Sequence, residues 1–243
     1  MTKTVLSIAA ALMALFVATV PVEAQVPGSQ YVGGTTGVDI SWPNCSASIP
    51  QVTFGIVGVT YGQGYSTSPC IAQEAGHFSN LSLYVNTGWY DQSTHISSTS
   101  PRVCATGDSN CLAYNYGYNA GLYAVNAAKG AGVATKTKTT WWLDVETGNT
   151  WNTNVIQNQN SLQGERDALV ISGATTVGVY STTAQWQGIT GAWQNNWPSW
   201  GATTWSTAKQ AQTYCTGHRF TGGPSYLMQY RPRNAKVDYD VAC

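Results

Sequence analysis

Short apolar runs rich in β-branched residues recur along this chain, and longer stretches of alanine and amide side chains separate several of them. The clearest runs are Gly37 to Ser41, Phe54 to Thr60, Leu81 to Asn86, Thr140 to Glu146, Val177 to Ser181 and Tyr226 to Tyr230. Runs of this length and composition read as buried strands. Between the third and fourth, Ala120, Tyr123, Ala124, Ala127 and Ala128 recur at helical spacing until Gly130 and Gly132 interrupt them, and a second helix is expected over Val155 to Ser172. Connections of that length suit right-handed crossovers between parallel strands, so the order is α/β. The last third carries less helical pattern, which predicts that its strands close the sheet by antiparallel pairing. An open doubly wound sheet and a closed barrel both satisfy this alternation. Neither Gly-x-Gly-x-x-Gly nor Gly-x-x-x-x-Gly-Lys occurs, which removes the nucleotide-binding version of the open sheet and makes a barrel the expectation.

The first 24 residues carry Lys3, an apolar stretch from Val5 to Val20 and a small-residue boundary at Ala24, the pattern of a secretory signal peptide. That stretch is shorter than the roughly 20 residues a membrane-spanning helix requires. Two regions are therefore expected, a signal peptide over 1–24 and one barrel domain over 25–243, with the mature chain secreted. The six cysteines fit an oxidising compartment and predict three disulfides. Six cysteines allow 15 connectivities; pairing Cys45 with Cys70, Cys104 with Cys111 and Cys215 with Cys243 is expected because each bond closes a local segment. The competing zinc reading lacks Cys-x-x-Cys and His-x-x-x-His spacings, and His77, His95 and His218 stand apart. No metal and no cofactor are expected.

Charged residues make up 9% of the chain and the formal net charge is zero, against roughly 25% charged residues in an average domain. The basic footprint that nucleic acid or anionic membrane requires is missing, and neither is an expected partner; the mature chain is expected to be a monomer. Ten Trp and fourteen Tyr offer flat apolar faces with polar tips, which suit pyranose rings, although most aromatics in any fold fill the core.

The eleven acidic residues are distributed unevenly. In Thr140-Trp-Trp-Leu-Asp-Val-Glu146, strand alternation puts Trp142, Asp144 and Glu146 on one face and Trp141, Leu143 and Val145 on the other. The turn signal Thr147-Gly148-Asn149 places both acids at the strand's C-terminal end, where barrels carry their active sites. Asp39 and Ser41 share a face near the end of the first run, and a final strand through Asp238 and Asp240 brings Asp238 beside it. The competing reading makes Asp144 and Glu146 solvent-facing strand ends or partners of Arg166 and the lysines. Crowded carboxylates acquire separated pKa values, and glycoside cleavage requires that division between an acid and a base or nucleophile. Serine or cysteine hydrolysis has no Gly-x-Ser-x-Gly elbow here, and the cysteines are committed to disulfides.

Gly37-Val-Asp39 and Asp144-Val-Glu146 resemble the first-strand and fourth-strand motifs of glycoside hydrolase family 25, the lysozyme-type N-acetylmuramidases. Phe54-Gly-Ile-Val-Gly-Val-Thr60, Gly178-Val-Tyr-Ser-Thr182 with Trp186, Pro198-Ser-Trp200-Gly-Ala202, Gln229-Tyr230 and Val237-Asp238 follow in the family's order and span nearly the whole mature chain. Asp39-Ile-Ser-Trp-Pro-Asn-Cys45, Asn115-Tyr-Gly-Tyr118 and Trp141-Trp-Leu-Asp144 are similar to family 25-like secreted actinobacterial proteins. The resemblance implies an irregular TIM-like (β/α) barrel with some helices replaced by strands, acting on peptidoglycan or a related polysaccharide. It implies Glu146 as general acid, with Asp39, Asp144 and Asp238 shaping the pocket and orienting water or an acetamido group. Trp142, Asn86, Tyr180, Trp200 and Gln229 are the expected substrate-binding set. The family carries an acid after its second strand, where this chain reads Gly58-Val-Thr-Tyr61-Gly62. That departure keeps a second function open, a domain that binds cell-wall glycan without cutting it.

Overall fold

In a computed structural model describing residues 25–133 and 139–243, eight strands close into a single barrel. The expected signal peptide lies outside the described residues. The strands are β1 (Thr36–Ile40), β2 (Phe54–Gly58), β3 (Leu81–Asn86), β4 (Thr140–Asp144), β5 (Thr176–Ser181), β6 (Ser199–Ala202), β7 (Ser225–Tyr230) and β8 (Asp238–Ala242). Neighbours from β1 to β7 pair parallel, whereas β8 pairs antiparallel with both β7 and β1. The antiparallel closure expected of the last third is therefore confined to one reversed strand.

The helices are α1 (Ile71–Ala75), α2 (Ser109–Gly130), α3 (Val155–Ile171), α4 (Thr183–Thr190) and α5 (Ala208–Gln212). The two expected crossover helices are α2 and α3, each started by a side chain that accepts from exposed backbone amides. Asp108 accepts from the Cys111 amide at 3.0 Å and Asn154 from the Ile156 amide at 3.0 Å. The barrel is irregular elsewhere: only a single 3-10 turn (Trp42–Asn44) follows β1 before the chain reaches β2, and no helix separates β7 from β8. Among the described residues no helix is long and apolar enough to cross a membrane.

Strand alternation sorts the side chains into two cores. Val38, Ile40, Val57, Leu83, Trp141, Leu143, Val145 and Val179 point outward and pack with Leu162, Leu169 and Trp186 of the surrounding helices. Phe54, Ile56, Trp142, Trp200, Tyr226 and Leu227 fill the interior. So many aromatics fit because glycine lies opposite them: a Cβ on Gly178 would stand 2.3 Å from the Trp142 ring. The segment before β1 plugs the barrel's N-terminal end. Tyr31 is buried there, its hydroxyl bonded to Ser82 and accepting from Trp142 Nε1 at 3.1 Å.

The three disulfides follow the expected local pairing, Cys45–Cys70, Cys104–Cys111 and Cys215–Cys243. The last ties the end of β8 to the segment after α5, which holds the reversed strand in place.

Candidate active site

At the C-terminal ends of the parallel strands the barrel opens into a cleft of about 450 Å³, and Asp39, Asp144, Glu146 and Asp238 all line it. Asp144 ends β4 and Glu146 lies just beyond it, so the strand is two residues shorter than its sequence run. Asp39 sits opposite Asp238 in the register between β1 and β8. This pairing follows from the reversal of β8: the start of an antiparallel strand lies beside the end of its neighbour. Asp240, two residues deeper on β8, is fully buried.

The five acids form two proton-sharing pairs and one ion pair. Asp144 accepts from Asn86 Nδ2 through one oxygen; its other oxygen has no donor and Glu146 stands beside it. Two ionised carboxylates cannot satisfy that contact, so Asp144 carries the proton and donates toward Glu146. Burial, and then the Glu146 charge, push Asp144 well above the ordinary carboxylate range. Burial also raises Glu146, which is held down by hydrogen bonds from Gln185 and Asp144. The second pair repeats the arrangement. Trp200 Nε1 donates to Asp240 Oδ1 at 2.7 Å, and Asp240 Oδ2 has no donor and faces Asp39. Burial and the Asp39 charge push Asp240 well up, so Asp240 holds the proton here. Asp39 is itself pushed up to about 7, by burial and then by Asp238. Asp238 is bound through both oxygens by Arg231 at 3.0 and 3.2 Å, yet burial still raises it.

The polar scaffold behind these acids is continuous. Thr60 Oγ1 donates to Asn86 Oδ1 at 2.7 Å, which turns the Asn86 amide toward Asp144. Thr87 Oγ1 and Asn149 Nδ2 both donate to the Asp144 carbonyl, at 2.6 and 2.8 Å. On the far side Tyr180 donates to Gln229 Oε1 at 2.8 Å, and Gln229 Nε2 donates to Asp39 at 2.9 Å. Tyr180 and Trp200 pack at the cleft wall with centroids 4.3 Å apart and ring planes inclined by 52°.

Of the expected substrate-binding set, Tyr180, Trp200 and Gln229 line the cleft and Asn86 stands behind Asp144. Trp142 requires a correction. Alternation does aim it inward, but it lies two residues deeper than Asp144, has no exposed surface and packs on Trp200 and Tyr226; it is core beneath the site. Arg166 lies beside Asp167 at 3.7 Å and over the Trp197 ring, and both cleft acids face inward rather than out to solvent. Tyr84, Arg231 and Gln185 were missed by sequence reasoning. Tyr84 shares a strand face with Asn86, and Arg231 follows Gln229 by two residues, so alternation was a usable signal for both. No local pattern marks Gln185, which reaches Glu146 from α4. Among the described residues the one grouping of metal-capable atoms is Cys45, Cys70 and Glu74, and its two sulfurs are joined to each other.

No protein-family profile matches the chain. Over 62 residues it is 36% identical to "Probable GH family 25 lysozyme 5" of Dictyostelium discoideum, a stretch covering 24% of this chain and 29% of that protein. The match thus spans less than a third of that curated relative. Among solved structures, the chain is similar to a muramidase from Trichobolus zukalii, with TM-score 0.54 and 15% identity over 86% of this chain and 93% of that one. A bacterial lysozyme from Streptomyces coelicolor matches with TM-score 0.51 and 15% identity, over 86% and 92% of the two chains. At these identities the structural likeness is one of fold.

Proposed function

We infer that this chain belongs with the family 25 lysozymes and is a secreted glycoside hydrolase acting on peptidoglycan or a related polysaccharide. The observation that carries the reading is the convergence of Asp39, Asp144, Glu146 and Asp238 on one aromatic-walled cleft. Glu146 is the more exposed of that pair and serves as general acid. As the glycosidic carbon–oxygen bond breaks, Glu146 takes up the proton that Asp144 donates across their hydrogen bond and passes it to the leaving oxygen, and water later restores the proton to the pair. Asp39 and Asp238, on the opposite wall, orient water or a substrate acetamido group, and the elements of water complete the two products. Tyr180, on the cleft wall, offers a ring face for a sugar, with the buried Trp200 packed behind it. Secretion follows from the signal-peptide pattern and three disulfides.

Reducing-end release from purified peptidoglycan by the oxidised chain tests the reading, with Glu146→Gln as paired control. Loss of at least a hundredfold in the variant is expected, since positioned acid catalysis contributes about 10²–10⁴ in rate. A Glu146→Gln protein as active as the parent overturns the assignment. A second reading, glycan binding without cleavage, draws on Tyr61 in place of an acid and on the Arg231 clamp over Asp238. Glycan retention without any reducing ends favours it.

A further inference from the structure

We propose that the Cys45–Cys70 disulfide is a second reactive site, one that undergoes thiol–disulfide exchange with a dithiol reductant, and that Glu74 is the acid that protonates its leaving sulfur. The proposal is independent of the glycan reading of the cleft. Glu74, on α1, is 2% exposed, and neither of its carboxylate oxygens has a hydrogen-bond partner. A buried carboxyl left unpaired is costly, and no Lys or Arg among the described residues forms an ion pair with it. What stands beside it is the disulfide: a Glu74 carboxylate oxygen lies within 4.8 Å of both Cys45 Sγ and Cys70 Sγ. Burial pushes Glu74 up to about 7, so it carries a transferable proton in acidic and neutral solution. The titratable group that feels its charge is the buried Tyr84 of β3.

The two sulfurs are placed unequally. Cys45, just after the 3-10 turn, is half-buried, whereas Cys70 is 7% exposed. An incoming thiolate therefore attacks Cys45 Sγ. A new bond joins that sulfur to the reagent, the Cys45–Cys70 bond breaks, and its electron pair leaves on Cys70 Sγ, to which Glu74 delivers its proton. Ser68 Oγ, also buried, stands 3.7 Å from Cys70 Sγ and donates to the departing thiolate. The reagent's second sulfur, its proton lost to solvent, then displaces Cys45, whose thiolate takes a proton from water; Glu74 regains its own in the same way. The dithiol ends as a disulfide and the two cysteines as thiols, a transfer of two electrons. Opening the bond removes the covalent tie between the start of α1 and the turn Trp42–Asn44, whose Pro43 and Asn44 line the catalytic cleft.

The test is reduction of the folded chain by dithiothreitol from about pH 5.5 to about pH 8.5, each disulfide followed by differential alkylation and mass spectrometry and each rate divided by the reagent's thiolate fraction. Cys45–Cys70 is expected to open about tenfold faster, on that corrected scale, below about pH 7 than above it, a step absent from Cys104–Cys111 and Cys215–Cys243. A purely structural Glu74 gives the opposite sign, because its stabilisation is greatest in acid and slows opening there. Glu74→Gln keeps the buried volume and removes the transferable proton, so its corrected profile is expected to be flat. A parent profile that is flat or falls toward acid, the same step in Glu74→Gln, or a step shared by all three disulfides overturns the proposal. If the variant does not fold, the parent profile and the other two disulfides decide.

Discussion

Replacing Gly117 by alanine sets two opposed effects against each other. In the interior of an exposed helix the change gains about 1 kcal/mol, because alanine loses less backbone entropy. Gly117 lies on the seam where α2 meets α3, and its added Cβ would stand 1.8 Å from the Ser161 carbonyl oxygen. Ordinary contact begins at 3.4 Å, so the seam must open by about 1.6 Å at that point, and the obstacle is helix backbone that no rotamer change can move. The facing helix cannot relax locally either: a Cβ on Gly164 would stand 2.1 Å from the Tyr114 carbonyl, and Gly121 closes on Glu165 in the same way. Opening also strains Ser161 Oγ to the Gly88 carbonyl at 2.6 Å and Tyr114 to Asp167 at 2.8 Å. Overpacking costs about 1–3 kcal/mol, and a backbone-to-backbone clash lies at the upper end. The expected net is a loss of about 2 kcal/mol, or roughly 4–8 °C in Tm for a domain of this size. Gly130→Ala, at the end of the same helix with nothing within 4 Å of its Cβ, is the control and is expected to be neutral or slightly stabilising. Thermal and urea unfolding of both variants measure the difference; Gly117→Ala matching or exceeding the parent in Tm refutes the seam account.

Glu74 is pushed up to about 7 from an ordinary 4.5 by burial, and neither carboxylate oxygen has a partner. Its folded form holds the proton more tightly than the unfolded chain, so its stabilising effect is full below about 4.5 and is lost as pH rises to about 7. Glu74→Gln is expected to flatten that part of the urea-unfolding profile, and parallel profiles would count against it. Removing Cys215–Cys243, which spans 28 residues, is expected to lower stability by about 3.5 kcal/mol on the loop-entropy account, read as the shift in urea midpoint of the double serine variant. Asp240→Asn keeps a donor toward Asp39 and is expected to hold reducing-end release within about tenfold of the parent, an allowance of roughly 1.4 kcal/mol. Asp240→Ala leaves Asp39 without that donor, raises its pKa and moves the acid limb of the pH–rate profile upward; identical limbs in the two variants would show that Asp240 does not tune Asp39.

Period-two alternation made much of the site legible before any fold was known. It separated Asp144 and Glu146 from Trp141, Leu143 and Val145, and the structure keeps that division between cleft and outer core. The helical alanine spacing located α2, and local loop closure anticipated all three disulfides. These are properties of neighbours along the chain, which sequence records directly. Depth in the barrel is not such a property: Trp142 and Asp144 share a face, yet one is sealed beneath the other because interior rings from other strands meet above Trp142. Nor is the proton-sharing partner of Asp39 local, since Asp240 reaches it only after β8 reverses against β1. The chain's own order dictates strands, faces and covalent ties; barrel closure decides which acids meet, which one keeps a proton and which aromatic remains in contact with solvent, because those outcomes depend on burial and distance between residues far apart in sequence.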